Sequence, residues 1–477
     1  MAGDKKITDL DRATPLGSFD FVSATGSDNY KVSYSNLAEY SSIGVQSGTF
    51  TESLTISGVA VSTGTSSPPS TEGLIKWTGV PTSATAAGVT GSVAYDSEYF
   101  YLNAPNTGVK VLAGASNYRA AYFLNELGDV YGCGFGTSLG LGGGSSSVLS
   151  PTYITGDVTG VFTTMNFFGN GFFLKDNSDV YGCGENSTGQ LGLGYTGVSA
   201  GENVNGVIPY PTNITGDVIK VAGGDKHTVF LKSNGDVYTA GGNTYGQLGM
   251  GYSGDDNPNL YPIKITGDCI DVGANYSSSI LVKSNGEAYG CGRNHEGSIG
   301  LGPDSSFASP TLITGGGIVS AYGTDHNTFL LRSDNEVYGA GDTDLLGIGD
   351  LGYGFRSTFQ HITGNVRSFQ AGPTVVTAIT PNGDLHAWGN GGNYQFGRGD
   401  NRDDLYYPTY LIGSITGALH TYDSTSLLTF TGNALSAGYQ SFGSCGVGNT
   451  SSQKFFVLST GTTTYESSWR RTPISTW

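Results

Sequence analysis

Basic residues are scarce in this chain. Lys and Arg number 22 against 39 Asp and Glu, which leaves a net charge of −17. A surface of that sign repels phosphate backbones, which argues against nucleic acid as a partner and favours a soluble, dispersed molecule. Long apolar runs are missing too. No stretch approaches the ~18 apolar residues of a spanning helix, so no membrane insertion is expected. The opening MAGDKKITDLDRA carries no apolar core of the kind a secretion signal needs, so folding in a cytoplasm is expected. Cysteines number five, and none sit in a Cys-x-x-Cys pair. An odd count without that spacing argues against a disulfide framework and against a zinc-ribbon site. What is abundant is glycine, 77 of 477 residues, over twice the usual ~7%. With plentiful Ser, Thr, Asn and Tyr, it indicates all-β structure with many turns.

One stretch organises the rest. Asp236–Gly251, DVYTAGGNTYGQLGMG, opens as a strand and ends in a glycine-rich loop. It recurs as Asp179–Gly194 and Glu287–Gly302, with weaker copies at Asp129–Gly142, Glu336–Gly349, Asp384–Gly399 and Asn433–Gly448. Copies at a period of about 50 residues mean a repeat architecture. In the third unit the pattern predicts strands at Ile219–Ala222, His227–Lys232, Asp236–Ala240 and around Tyr261–Ile265. Asn234 and Gly235 supply a tight hairpin turn between the second and third. Four short antiparallel strands per unit, repeated radially, describe a β-propeller, and seven copies predict seven blades over residues 108–461. One slot holds Cys133, Cys183 and Cys291 in some copies and Ala240, Ala340, Trp388 and Ala437 in others. Exchange of Cys with Ala marks a packing position, because a free thiol behaves as a small hydrophobe. Leu191, Leu248 and Ile299 are expected to pack between blades.

The G-x-N-x-x-G-Q-L-G-x-G pattern at Gly184–Gly194 and Gly241–Gly251, with Gly224–Thr228 (GDKHT) before it, resembles the regulator-of-chromosome-condensation repeat. That resemblance implies a seven-bladed ring. The founding member of the family binds nucleosomes and activates a small GTPase. Neither activity is expected here, since this surface is acidic and the repeated residues are structural. A propeller is a scaffold that says little about function.

The ends of the chain read differently. Residues 6–40 resemble the N-terminal segments of tailed-bacteriophage fibre and head-appendage proteins, with matching elements at Lys6–Leu10 and Lys31–Leu37. Residues 1–41 are therefore expected to be a virion-attachment segment, anchored to other virion proteins through Ile7, Leu10, Leu16, Phe21, Val22 and Leu37. Residues 42–92 predict a thin β-rich stalk, with Leu54, Ile56, Val59 and Val61 at strand spacing. Isolated strands of this kind need partners, which suggests a homotrimer, as phage fibres commonly form. Residues 93–107, VAYDSEYFYLNAPNT, resemble a phage-fibre hairpin, and the strand that normally follows it looks like SSWRRTPISTW at 467–477. The propeller is then an insertion, with 462–477 closing the module opened by 93–107.

Binding is expected in the variable loops after each glycine-rich turn, on one side of the ring. Tyr195, Tyr210, Tyr252, Asp255, Tyr261, Tyr353, Asp403, Tyr406 and Tyr407 fall there, and Tyr with Asp and Asn suits sugars or protein surfaces. The carboxylate pairs Asp255–Asp256 and Asp403–Asp404 could hydrolyse glycans only if held face to face; they read as solvated turn residues. His227 and His326 read as structural histidines at nearly one repeat position. No metal, cofactor or catalytic residue is expected. The expected function is a non-enzymatic virion fibre that binds a host-surface glycan or protein, located in the virion and made in the host cytoplasm. The alternatives are a decoration fibre without a receptor and a polysaccharide depolymerase.

Overall fold

The computed structural model describes residues 54–56, 59–61, 93–95, 99–103, 110–142, 146–164, 169–197, 206–254, 258–349, 354–399, 404–439, 442–459 and 469–473. The chain falls into two units, residues 108–467 and residues 1–107 with 468–477. In the smaller unit, Leu54–Ile56 pairs antiparallel with Val59–Val61. Val93–Tyr95 pairs with Tyr99–Asn103, which pairs in turn with Trp469–Pro473. The anchoring residues expected between Ile7 and Leu37 lie outside the described residues.

The larger unit is a seven-bladed propeller of four-stranded antiparallel sheets. Within each blade the strands run in sequence order; we call them a to d. Blade 3 comprises Val218–Gly223, His227–Lys232, Val237–Gly241 and Asn259–Thr266. The second strand matches the expectation residue for residue, and the others differ by one or two. The a strands of neighbouring blades touch in a ring, and blade 7 (from Ile415) returns to blade 1 (from Val111). The b strands are buried along their whole length in Ala120–Asn125 and Val375–Ile379 and up to a half-buried end in the other blades, while the d strands form the outer edge. Between b and c, Gly235 N–H closes on Lys232 O and Lys232 N–H on Asp236 O. That is a three-residue loop with Gly235 at φ 82°, a left-handed position that glycine fills without strain.

The repeat signature builds the seams. Asn243 holds its own loop: Oδ1 accepts from Leu248 N at 3.0 Å, and Nδ2 donates to Tyr252 O at 2.8 Å. Asn186 and Asn294 do the same to Leu191 and Ile299. Leu191, Leu248 and Ile299 are fully buried, as expected. The last glycine of each loop then donates its N–H to a d-strand carbonyl of the next blade. The seven bonds, from Gly142 to Pro209 round to Gly448 to Leu149, measure 2.7–3.2 Å. The last of them closes the ring, so blades 7 and 1 join by the same device as any other pair.

The Cys/Ala slot packs against the seam glycine of the preceding blade. A methyl group at Gly140 would lie 2.8 Å from Cys183 Sγ, and one at Gly446 would lie 3.0 Å from Cys133 Sγ. All five cysteines are free and buried. Blade 6 breaks the size rule with Trp388, also fully buried. The preceding loop, 341–349, is two residues shorter than 241–251. The indole takes the vacated space and donates Nε1–H to Leu345 O at 3.0 Å.

Candidate functional site

An antiparallel blade places its a–b turn and its c–d loop at the same end. All the a–b turns therefore gather around the axis on the loop face. Their central residues are Tyr118, Asp225, Tyr276, Asp325, Pro373 and Tyr422 in blades 1, 3, 4, 5, 6 and 7. The Tyr118 hydroxyl of blade 1 donates to the Asp325 carboxylate of blade 5. Two blades intervene between these on the shorter way round, so this bond crosses the mouth of the axial channel. Tyr118 stacks on Tyr422 of blade 7, with ring centroids 5.2 Å apart and planes 14° from parallel. Tyr276 of blade 4 faces Asp225 of blade 3. At the edge, Asp423 accepts from Asn393 Nδ2 at 2.7 Å and faces Arg119, whose guanidinium lies 4.4 Å from the Phe442 ring centroid.

Burial sets the electrostatics of this mouth. It raises the carboxyls of Asp225, Asp325 and Asp423 above the ordinary range, against the lowering effect of their hydrogen-bond donors. Burial and the facing carboxylates push Tyr276 up to about 12 and Tyr118 well above its usual value. The phenols therefore stay protonated and donate, while the carboxylates accept. Asp325 Oδ1 is buried with no hydrogen-bond partner among the described residues. Tyr422 and Tyr276 remain 45% and 41% exposed, so two aromatic faces are open to a ligand. Open aromatic surface beside directed carboxylate acceptors suits a polyhydroxylated or cationic ligand and disfavours an anion.

The comparisons with known proteins agree on the scaffold. The family model described as "Regulator of chromosome condensation (RCC1) repeat" matches residues 177–231 and 234–280, and a second model of the same description matches 218–247. Residues 177–280 of the propeller thus match this repeat, and the ring as a whole is similar to such propellers in fold. Human "Regulator of chromosome condensation" is 28% identical over 237 residues, covering 43% of this chain and 55% of that protein. Human "E3 ubiquitin-protein ligase HERC2" is 29% identical over 223 residues, 42% of this chain but 4% of that protein. The chain thus spans about half the length of the first of these and a small fraction of the second. Among solved structures, human WBSCR16 superposes with a TM-score of 0.58 at 19% identity, over 72% of this chain and 94% of that one. Yeast RCC1 (Prp20) bound to Kap60 gives 0.54 at 17%, over 65% and 78%. At these identities the likeness is one of fold.

The repeat ring divides the tyrosines expected to bind. Tyr195 and Tyr252 lie in loops on the loop face, 50% and 57% exposed, and their backbone carbonyls receive the loop asparagines. Tyr210, Tyr261 and Tyr407 are strand residues, not loop residues: they lie within d strands that begin at Val207, Asn259 and Leu405, and lay their rings over the seam glycines Gly142, Gly194 and Gly349. Tyr406 is also in the blade 6 d strand, near Asp404. Asp255, Tyr353 and Asp403 lie outside the described residues. Asp404 braces its own loop through Gly391 N at 2.9 Å. The histidine expectation needs correction. His227 pairs across to Gly241, but it is Asn327, not His326, that pairs with Gly341. A one-residue offset separates a buried ring from an exposed one. His227 packs over Gly224, and burial pushes it down to about 4. His326 stands on the loop face beside His295 and Glu296. Sequence reading missed both this cluster and the axial mouth. The available signal was the a–b turn, whose central residue changes between Tyr, Asp and Pro while the flanking strands repeat.

Proposed function

We propose that this chain is a non-enzymatic binding protein whose propeller captures a host-surface glycan, or a protein bearing similar hydroxyl and cationic groups, at the axial mouth. The observation that carries this reading is the set of Tyr118, Tyr276 and Tyr422 interleaved with Asp225 and Asp325. These groups come from five blades and are not required by the repeat. The ring supplies rigidity, so the ligand would meet a prepared surface. We further propose that the chain is a tailed-bacteriophage virion fibre, anchored through residues 1–41 and acting as a homotrimer. The fibre resemblance at both ends supports this, as does the pairing of Tyr99–Asn103 with Trp469–Pro473, two segments that flank the propeller in sequence.

The test has two arms. Gold-labelled antibody to the propeller should decorate intact virions, and particles without label would remove the fibre reading. Purified chain added to host cells before phage should block adsorption. Decoration without any competition would favour a fibre that binds no receptor.

A further inference from the structure

We propose that the loop face carries a divalent transition-metal site, with zinc the favoured ion, formed by His295, Glu296 and His326. It does not depend on the virion reading. His295 and Glu296 belong to the c–d loop of blade 4, and His326 to the a–b turn of blade 5, so the site bridges two blades. Glu296 Oε2 lies 3.7 Å from His295 Nδ1 and 3.5 Å from His326 Nδ1. The three donor atoms lie within 4.8 Å of one another. A tetrahedral ion with bonds of about 2.0–2.1 Å has donor–donor edges of about 3.3 Å, so small side-chain rotations would close the set. The two imidazoles meet with centroids 5.6 Å apart and planes at 52°, which lets both nitrogens converge without stacking.

The repeat does not demand these residues. Where blade 4 has His295 and Glu296, blade 2 has Ser187 and Thr188, and blade 3 has Thr244 and Tyr245. Where blade 5 has His326, blade 3 has Lys226. Three positions whose residue changes from blade to blade hold three ligand side chains that converge. Glu296 also adopts φ 55° and ψ 26°, a left-handed conformation that a residue with a side chain seldom takes. Two imidazoles and one carboxylate select zinc or a neighbouring first-row ion over calcium or magnesium, which prefer all-oxygen shells. Three protein ligands leave a coordination position open to solvent at the edge of the axial mouth, where an oxygen of a bound ligand could enter.

Zinc chloride titrated calorimetrically into the tag-free, EDTA-treated full chain should show one ion per chain. His326→Ala and Glu296→Gln should each weaken binding about tenfold or more, and magnesium should not compete. Zinc-edge absorption should report nitrogen and oxygen ligands. Thermal midpoints measured without metal should match the parent chain, which shows that the variants are folded. Absence of zinc binding, unchanged affinity in the His295→Ala/His326→Ala double variant, or sulfur ligation would each overturn the site. Adsorption blocking is a separate readout, so failure here leaves the glycan proposal standing.

Discussion

The seams between blades and the mouth of the axial channel are built from the same repeats and behave in opposite ways. At the seams all seven blades do the same thing: a loop glycine donates to the next outer strand. In blades 2, 3 and 4 an asparagine also ties the turn, and the slot beneath is small in every blade but the sixth. At the mouth the turn residue changes between Tyr, Asp and Pro, and a contact skips across the ring from Tyr118 to Asp325. Uniformity belongs to the part that must close. Variety belongs to the part that faces outward on a scaffold already made rigid. Stability and recognition should therefore separate under mutation.

The largest expected effect is at a seam. Gly140→Val would place its Cβ 2.8 Å from Cys183 Sγ and 3.0 Å from Pro211 Cδ, at φ 75°, with two further methyl groups to seat. Urea denaturation should show a loss of about 4 kcal/mol or more. A loss near zero would mean the seam is looser than described. Trp388→Ala comes next, since it empties the space that the short 341–349 loop leaves. A loss of about 3–5 kcal/mol is expected by the same measurement. Restoring two residues to the loop together with Trp388→Ala should recover part of it.

A smaller effect depends on pH. Burial pushes His227 down to about 4 and His420 to about 3. In the unfolded chain an imidazole takes its proton near 6.5. The stability these histidines confer is therefore complete above about 6.5 and is lost as pH falls toward 4. Asp225, Asp325 and Asp423, raised by burial, act in the opposite sense, since their protonation favours the folded state at the acid end. The thermal midpoint should fall between pH 7 and pH 4. His227→Asn, which installs the residue that blades 2 and 5 carry as Asn170 and Asn327, should flatten that slope. An unchanged slope would show that His227 is not held neutral.

What the sequence made legible follows from the same contrast. Blade number, strand b of blade 3 and the Cys/Ala packing slot were all readable because a repeat states each of them several times. Tyr261 falls in the fourth strand expected for blade 3, but Tyr210 and Tyr407 follow loops of variable length, and only the outer-strand register shows that they lie within a strand. His326 was paired with His227 because GDKHT and TDHNT look alike until cross-strand pairing shows the one-residue offset. The axial mouth could not be read at all, since it joins turns of five blades that lie far apart in sequence.

Tyr276 and Tyr422 are the exposed tyrosines of that mouth, and replacing both by Ala removes the partner of Asp225 and the stack on Tyr118, so a loss of about 1–3 kcal/mol is expected. The decisive measurement compares this double variant with the parent chain as a competitor of phage adsorption to host cells, at equal concentration and at a temperature where thermal melts show both folded. The parent should block adsorption and the Tyr276→Ala/Tyr422→Ala chain should not. Equal blocking by both would contradict recognition at the mouth and place it elsewhere.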